Sequence, residues 1–376
     1  MHWEENGEAH EARWRSEGGM QPPKRVVVAD DRTKATEAYQ LACAGTALLW
    51  RGDFQNARLL LQAMGRRAER RPKQTATLTE AFHQHRMAQA QRARILGLLL
   101  IPLDAGYQVP LRRGPDVVAA CSEAWGPADE QPSVVSLREL QGLIGAHEWR
   151  KKGVPIPALG GTHIHPHYGV FSPVRGEYVD LVAEAPLPAA LDQQSLAFDI
   201  GTGTGILAAV LAQRGVRRIV ATDRDPRALA CARDNVERLG LGKQIKVVEA
   251  DLFPDAASSR RAALIVCNPP WLPGKAATPI EGAVYDPDSR MLKGFLAGLK
   301  EHLAADGEGW LILSDFAENL GLRQRGEVPA LIEAAGLKLI ARHDTRPRHP
   351  KAVDRDDPLY LARVAERTSL WRLAAA

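Results

Sequence analysis

The spacing of hydrophobic residues predicts helices in the first part of the chain. Between about residues 33 and 100, apolar positions recur every three or four residues, as they do on one face of an α-helix. Asp53 and Thr79 are the predicted N-caps, because their side-chain oxygens can accept the free N–H groups of a first turn. The predicted helices of this region span residues 35–50, 53–70, 79–100, 115–125 and 136–151.

The pattern changes from Leu196 onward, where short β-rich runs alternate with longer helical ones. This alternation is typical of a mostly parallel sheet with helices on its faces. The predicted strands span residues 196–200, 218–222, 245–248, 263–267, 309–314, 337–341 and 359–364. The predicted helices between them span residues 205–214, 226–239, 288–304 and 327–335. The sequence therefore predicts an α/β fold for this part of the chain.

The 376-residue chain is longer than a usual single domain, so at least two units are expected. Residues 1–32 are polar, carry five Glu before Gly18 and lack periodicity, which predicts a disordered tail. Residues 33–152 form a predicted, mainly helical N-terminal domain that either recognises the substrate or covers the sheet. Residues 153–182 are predicted to be a linker and a hairpin, and residues 183–376 the catalytic domain.

The charge of the chain is modest and unevenly distributed. The formal net charge is +4, with 22 Lys and Arg against 18 Asp and Glu in residues 1–160, and 27 against 27 in the remainder. A basic N-terminal region can bind RNA or a ribosomal surface, but so small an excess favours an ordinary solvated surface. The sequence does not indicate which oligomeric state the protein adopts.

Several function classes are disfavoured by what the sequence lacks. No apolar run approaches the ~18 residues of a membrane-spanning helix, so no membrane partner is expected. The first residues show no secretory-type apolar run, and the four cysteines lack metal-ligand spacing, so a cytoplasmic protein is expected. His163, His165 and His167 alternate, but without further ligands they indicate a solvent-facing strand and not a metal site.

A glycine-rich loop follows the first predicted strand of the α/β region and opens the next helix. Glycines at this position let backbone N–H groups approach a nucleotide-like cofactor at the carboxyl edge of a sheet. Ile206 stands where a dinucleotide fingerprint requires its third glycine, which argues against NAD. The candidate cofactor-binding residues of this loop are Asp199, Gly201, Thr202, Gly203 and Gly205.

Acidic residues stand at the tips of the next two predicted strands. Asp223 lies 22 residues after Gly201, where a carboxylate can accept hydrogen bonds from both ribose hydroxyls. Asp251 is suited to bind the exocyclic amine of adenine, with Leu252 as an apolar wall beside it. Each acid alone could be a helix cap or a surface residue, but in series after the glycine loop they indicate a cofactor site.

The segment Asn268-Pro269-Pro270-Trp271 directly follows an apolar strand. An amide or arylamine nitrogen is a poor nucleophile because its lone pair is delocalised, so it must be oriented well. The Asn268 side-chain oxygen and the Pro269 carbonyl can accept its two N–H groups, while Trp271 stacks on its plane. These four residues are the candidate catalytic residues, and Asn268 also borders the cofactor.

Together these motifs resemble the class I S-adenosylmethionine-dependent methyltransferases, in particular the small-domain branch with the release-factor and ribosomal-protein glutamine N5-methyltransferases. The resemblance covers about residues 173–364. It implies a Rossmann-like sheet of seven strands with an antiparallel last strand, and S-adenosylmethionine as cofactor. It also implies a glutamine side-chain amide of a translation factor or ribosomal protein as substrate.

Two further segments supply candidate substrate contacts. Residues 172–178 resemble the segment that precedes the cofactor loop in the glutamine enzymes, and they contain Arg175 and Glu177. Tyr285 and Asp286 lie where family members carry a loop near the substrate, although Asp286 can equally cap the helix that begins nearby.

Other functions are compatible with the same motifs. An RNA or DNA base with an exocyclic amine, adenine N6 or guanine N2, fits the same geometry once it is flipped out and stacked on Trp271. A small amine is a further candidate substrate. A non-catalytic cofactor-binding module is the third class, but intact Asp199, Asp223 and Asn268 argue against it.

Overall fold

The computed structural model of the protein describes residues 1–69, 75–174, 176–254, 261–276, 278–348 and 350–376. The chain divides into two compact units. The N-terminal unit comprises Met1–Ala76 and Glu80–Glu148, and the C-terminal unit comprises Thr77–Thr79 and Trp149–Ala376.

The N-terminal unit contains a five-stranded sheet in the order β3–β7–β6–β5–β4, together with a separate β1–β2 hairpin. Its strands are β1 (His2–Glu5), β2 (Glu8–Glu11), β3 (Arg13–Arg15), β4 (Arg25–Ala29), β5 (Thr46–Trp50), β6 (Leu99–Leu103) and β7 (Ser133–Ser136). Its helices are α1 (Ala35–Cys43), α2 (Phe54–Ala68), α3 (Leu78–Leu96), α4 (Val118–Trp125) and α5 (Leu137–Lys152), the last of which continues past the unit boundary.

Two predictions for this region are wrong. Residues 1–32 contain four strands where a disordered tail was predicted, and residues 33–152 are built around a sheet and are not mainly helical. Strands β5 and β6 are buried at every position, so their continuous apolar runs look like the ends of the helices before them. The Asp53 cap is confirmed, since its side chain accepts from the Gln55 N–H, whereas Thr79 lies inside α3.

The C-terminal unit is centred on a seven-stranded sheet, flanked by two short strand pairs. Its strands are β8 (Val154–Pro155), β9 (His163–Ile164), β10 (Leu196–Ile200), β11 (Arg218–Asp223), β12 (Ile245–Glu249), β13 (Ala262–Cys267), β14 (Leu272–Pro273), β15 (Tyr285–Asp286), β16 (Leu303–Ser314), β17 (Leu337–Thr345) and β18 (Thr368–Ala375). Its helices are α6 (Glu177–Glu184), α7 (Ala190–Gln193), α8 (Ile206–Gln213), α9 (Pro226–Arg238), α10 (Arg290–His302), α11 (Phe316–Asn319), α12 (Glu327–Ala334) and α13 (Tyr360–Ala365).

The large sheet has the order β12–β11–β10–β13–β16–β18–β17. The first five strands in this order pair in parallel, and β18 pairs antiparallel with both of its neighbours. One hydrophobic core contains residues of α6 and α8, and a second contains residues of α10 and α12. Because both faces of the sheet are covered, its central strands are apolar at almost every position, as in parallel sheets generally. The predicted Rossmann-like sheet with an antiparallel last strand is confirmed.

Two local predictions in this unit are wrong. Residues 359–364, predicted as the last strand, lie largely in α13, and the last strand is β18. A hairpin was predicted within residues 168–182, but residues from Glu177 onward form α6, and the antiparallel β8–β9 pair lies upstream. Short apolar runs are ambiguous between strand and helix, and only the available sheet edge decides between them.

Within the described residues, no helix has the length and apolarity needed to cross a membrane.

Candidate active site

The glycine loop connects β10 to α8 at the carboxyl edge of the sheet. Asp199 is almost completely buried on β10, where its carboxylate accepts from Thr202 Oγ1 at 2.6 Å and from the Ala208 N–H at 3.1 Å. Gly201, Gly203 and Gly205 have φ angles of 70°, 55° and 82°. This left-handed region is unfavourable for residues with a Cβ, so the loop conformation itself requires these glycines.

The loop lies in an acidic environment. Burial raises the pKa of Asp199 to about 6, against the opposing hydrogen bonds from Thr202 and Ala208. Burial also raises the pKa of the Cys267 thiol, and the nearby carboxylates of Asp199, Asp286 and Asp223 raise the thiol pKa further. The Cys267 thiol therefore stays protonated. The cluster of carboxylates around the loop is suited to bind a positively charged ligand.

Asp223 stands at the end of β11, the strand next to β10, as predicted. Its Oδ2 accepts from the Gly203 N–H at 3.0 Å, and its Oδ1 accepts from the Asp225 N–H at 3.0 Å. Burial raises the pKa of Asp223, while these hydrogen bonds lower it. The carboxylate is thereby fixed beside the glycine loop, at the position from which a ribose could be bound.

Asp251 and Leu252 follow β12. Asp251 is exposed and forms an ion pair with Arg290, whose guanidinium lowers the pKa of the carboxyl group. The Leu252 backbone oxygen accepts from Thr222 Oγ1 at 2.6 Å, and a Cβ on Gly294 of α10 would lie 2.6 Å from Leu252 Cδ1. Leu252 therefore lies between the tip of β11 and α10, as an apolar wall would, while an adenine contact of Asp251 stays a prediction.

The Asn268–Trp271 segment follows β13, which pairs with β10 through Ile200 and Cys267. The segment is therefore adjacent to the glycine loop at the same sheet edge. The Trp271 indole Nε1 donates to Asn268 Oδ1 at 2.9 Å, and Trp271 is half-buried against both hydrophobic cores. The Asn268 carboxamide is thus oriented by the tryptophan of its own motif, a contact that the sequence did not predict.

The candidate substrate residues have different outcomes. Arg175 lies outside the described residues. Glu177 is the first residue of α6, is 5% exposed, and its Oε1 is buried without a hydrogen-bond partner among the described residues. Tyr285 lies in β15, where it pairs with Leu272.

Asp286 serves the helix that follows it. Its buried carboxylate accepts from the Met291 N–H at 3.0 and 2.9 Å and from the Leu292 N–H at 3.2 Å. These N–H groups belong to the first turn of α10. The capping alternative is therefore the correct one for Asp286, and substrate contact is not its observed role.

The alternating histidines bind protein groups. His165 Nδ1 lies 2.7 Å from the Arg150 backbone oxygen, and His167 Nε2 lies 2.9 Å from Asp234 Oδ2. His163 is the exposed member of the three. The prediction of a solvent-facing strand therefore holds only for His163.

Three residues at the site were not found by sequence reasoning. Arg290 pairs with Asp251, and Arg323 Nη2 donates to the Trp271 backbone oxygen at 3.3 Å. A Cβ on Gly201 would lie 2.4 Å from Met291 Cε, so this methionine closes one side of the loop. All three come from segments far along the chain, and no local motif marks them.

These residues fit S-adenosylmethionine on three counts. A Cβ on Gly203 would meet no atom within 4 Å, so the space above this glycine is open to a ligand. Asp223 is fixed beside the loop by the Gly203 N–H, where its carboxylate could bind the ribose hydroxyls. The acidic surroundings complement the positive charge of a sulfonium.

The strand order, the glycine loop and the Asn-Pro-Pro-Trp segment together define a class I S-adenosylmethionine-dependent methyltransferase. A family model described as the methyltransferase small domain matches residues 161–320. The chain is also 30% identical over 174 residues to tRNA1(Val) (adenine(37)-N6)-methyltransferase of Shewanella amazonensis, across 40% of this chain and 71% of that one. The chain therefore belongs to the class I methyltransferases, in the small-domain branch, whose cofactor is S-adenosylmethionine.

Other relatives carry names that describe the methylation of proteins. The chain is 32% identical over 171 residues to release factor glutamine methyltransferase of Cereibacter sphaeroides, across 42% of this chain and 58% of that one. It spans between half and three fifths of the length of such relatives. Among solved structures, a methyltransferase from Pyrococcus furiosus matches 64% of this chain and 99% of its own, with 17% identity and a TM-score of 0.38.

Proposed function

We propose that this protein transfers a methyl group from S-adenosylmethionine to a planar nitrogen bound by Asn268 and Trp271. The preferred acceptor is the side-chain amide of a glutamine in a translation factor or ribosomal protein. One observation carries the proposal: the Asn268 carboxamide is held by the Trp271 indole at the sheet edge next to the glycine loop. A pre-oriented acceptor beside a stacking ring is what a weakly nucleophilic nitrogen needs.

The acceptor geometry follows from the hydrogen-bond capacity of the motif. A carboxamide oxygen has two lone pairs, and Trp271 uses one of those on Asn268 Oδ1. The second lone pair is available to an N–H of the substrate amide, and the Pro269 carbonyl provides the other acceptor. Pro269 restricts the backbone between Asn268 and this carbonyl, and Pro270 restricts the backbone after it, because a proline ring fixes φ.

S-adenosylmethionine supplies an activated methyl group on a positively charged sulfur. Methyl transfer would leave neutral S-adenosylhomocysteine, and the methylated nitrogen would lose its proton to solvent afterwards. The chain therefore has to orient the acceptor and keep the charges complementary, and it needs no strong general base. Asp199 is not a proton acceptor in this scheme, because it is buried and already bonded to Thr202 and Ala208. Its role is to hold the glycine loop in the conformation that binds the cofactor.

A base in RNA or DNA is the second candidate acceptor. Two relatives that this chain covers to 71% and 74% of their length are named as tRNA adenine-N6 methyltransferases, and Trp271 offers a wide face for stacking a flipped base. In both schemes the N-terminal unit is proposed to recognise the acceptor molecule. Translation factors, ribosomal proteins, tRNA and rRNA all belong to translation, so with these acceptors the proposal also places the protein in the cytoplasm.

The test is the transfer of radiolabelled methyl groups from S-adenosylmethionine into a lysate of a strain that lacks this gene. Portions treated with protease and with RNase are analysed separately. We expect label that protease releases, because a glutamine amide is the preferred acceptor. Label released by RNase would replace that acceptor with an RNA base, and no label in either portion would contradict macromolecular methylation.

The matched variants are Asn268→Ala and Asn56→Ala. We expect Asn268→Ala to lower the rate by about a hundredfold, because the acceptor nitrogen loses its orienting oxygen. The Asn56 carboxamide is hydrogen-bonded too, donating to Asp31 at 3.0 Å, but this residue belongs to the N-terminal unit and not to the motif. Its alanine variant should keep the wild-type rate, and an Asn268→Ala enzyme that also kept this rate would refute the proposed mechanism.

A further inference from the structure

Arg323 is a buried arginine in the loop that follows α11. Only 1% of its side chain is exposed, and its Nη2 donates to the Trp271 backbone oxygen at 3.3 Å. Its Nη1 lies 3.6 Å from Oε1 of Glu318, which is longer than a hydrogen bond. Among the residues that the structure describes, neither Nε nor Nη1 has a hydrogen-bond partner.

Within the described residues, two of the three guanidinium nitrogens of Arg323 therefore lack a hydrogen bond, which makes this burial unfavourable for stability. The desolvation free energy of a buried guanidinium is roughly several kcal/mol. Ion pairs and hydrogen bonds of good geometry are needed to offset it. Arg214 shows a better-satisfied arrangement, because its two terminal nitrogens each donate to a carbonyl, of Val182 and of Ala185, at 2.6 Å. Arg323 has an ion pair with Glu318 at 3.6 Å, but its one side-chain hydrogen bond within the described residues is to the Asn-Pro-Pro-Trp segment.

The backbone of this segment has few other means of attachment. Pro269 and Pro270 carry no N–H group, so they cannot donate hydrogen bonds to the surrounding structure. Trp271 is instead held through its indole, by Asn268, and through its carbonyl, by Arg323. The next residue, Leu272, is tied by its N–H to the Val284 oxygen at 3.0 Å.

We propose that Arg323 is a positioning residue for methyl transfer. It holds the Trp271 backbone and thereby sets the plane of the indole on which the acceptor nitrogen is aligned. This inference rests on the proposed function of Trp271 as the stacking surface. Arg323 itself touches neither the acceptor nor the cofactor, so its loss acts on alignment and leaves cofactor binding unchanged.

The test uses Arg323→Met and Arg323→Lys in the full chain. The acceptor is the methyl-accepting fraction of the lysate, and the cofactor affinity is measured by titration calorimetry with S-adenosylmethionine. We expect Arg323→Met to lower kcat by about ten- to a hundredfold, since small misplacements at a reacting centre have effects of this size. Kd for S-adenosylmethionine should not change, and Arg323→Lys should recover part of kcat because it keeps a donor for the Trp271 carbonyl.

Arg214→Met is the control for the loss of a half-buried arginine that donates hydrogen bonds to backbone carbonyls. It removes two hydrogen bonds at the end of α8 opposite the glycine loop, so it should lower Tm and leave kcat unchanged. If Arg323→Met keeps the wild-type kcat, or if Arg214→Met lowers kcat equally at the same Tm loss, Arg323 has only a structural role.

A second readout does not depend on activity. The chain has eight Trp residues, so the Trp271 contribution to fluorescence is isolated as the difference from a Trp271→Phe background. Arg323→Met should make this component more accessible to acrylamide quenching. If the wild type methylates nothing, the proposed function fails while quenching still tests positioning. If the wild type is active and the variant changes neither quenching nor kcat, the positioning role fails alone.

Discussion

At the scale of single residues, the cofactor loop depends on one glycine that faces open space. Gly203 has φ of 55°, and no atom lies within 4 Å of where its Cβ would stand. Its neighbour Gly201 differs, because a Cβ there would collide with Met291. Gly203 therefore has two separate requirements: a left-handed backbone, and room for the ligand.

We predict that Gly203→Ala keeps the fold and loses cofactor affinity. The left-handed backbone costs an alanine about 1–2 kcal/mol, and the added methyl group occupies the space proposed for S-adenosylmethionine. Calorimetric titration and thermal unfolding measure the two effects. Gly215→Ala is the matched control, because Gly215 has φ of 96°, open surroundings and a position beyond the far end of α8. Equal losses of affinity in both variants would contradict a ligand above Gly203.

The residue scale also separates what a motif predicts from what it leaves open. Asn268 and Trp271 were predicted to bind the acceptor, and their adjacency to the glycine loop agrees with that prediction. The hydrogen bond between them changes the detail, since one acceptor site on Asn268 is already used. No spacing rule marks that bond, because it depends on side-chain rotamers in the folded loop.

At the scale of elements, α10 depends on an acid that lies outside it. Ser289, which precedes the helix, has φ of 52° and makes no side-chain capping bond. Asp286, the last residue of β15, lies three residues before Ser289. It caps the helix instead, because its carboxylate accepts two N–H groups of the first turn. Met291, in the first turn of α10, lies against Gly201, and Leu252 packs on Gly294 of the same helix, so the position of α10 affects the glycine loop.

We predict that Asp286→Ala destabilises the protein by about 1–2 kcal/mol, the usual cost of losing a helix cap. The buried N–H groups of Met291 and Leu292 would lose their acceptor. Thermal or denaturant unfolding measures the change. Asp286→Asn keeps an acceptor oxygen and should retain most of the stability, whereas an Asp286→Ala protein as stable as the wild type would show that the cap is dispensable.

Elements of the two units differ in how far the sequence predicts them. In the C-terminal unit, turns and helices separate the strands clearly, and β10 was predicted to the residue. In the N-terminal unit, β5 follows α1 after two residues, and both are rich in Ala and Leu. Hydrophobic spacing cannot divide such a run, because a strand buried on both faces has no polar positions to reveal its period.

At the scale of the whole molecule, each unit contains at least one hydrophobic core of its own among the described residues. The two cores around the large sheet contain only residues from Val154 onward, and the small core of the N-terminal sheet contains only residues up to Val134. A unit with its own core can fold by itself. This separation makes the role of the N-terminal unit testable.

We predict that a fragment of residues 149–376 folds cooperatively and binds S-adenosylmethionine with the affinity of the full chain. Its KM for the macromolecular acceptor should rise about tenfold or more, because the surface proposed to recognise that acceptor is removed. Circular dichroism, calorimetry and the methylation assay measure the three properties. An unchanged KM would assign acceptor recognition to the C-terminal unit alone, and an unfolded fragment would contradict the independence of its cores.

The sequence by itself determined the class of enzyme and the segments that we propose as its cofactor and acceptor sites. Each motif is a short continuous segment whose backbone conformation and hydrogen-bonding groups are set locally. These segments are the glycine loop with its flanking strand and helix, the acid at the tip of β11, and the Asn-Pro-Pro-Trp segment. Tertiary structure alone decided the sheet of the N-terminal unit, the capping role of Asp286 and the contact of Arg323 with Trp271. That contact joins residues 52 positions apart. Partners at such separations meet only when the whole chain folds, so local pattern carries no record of them.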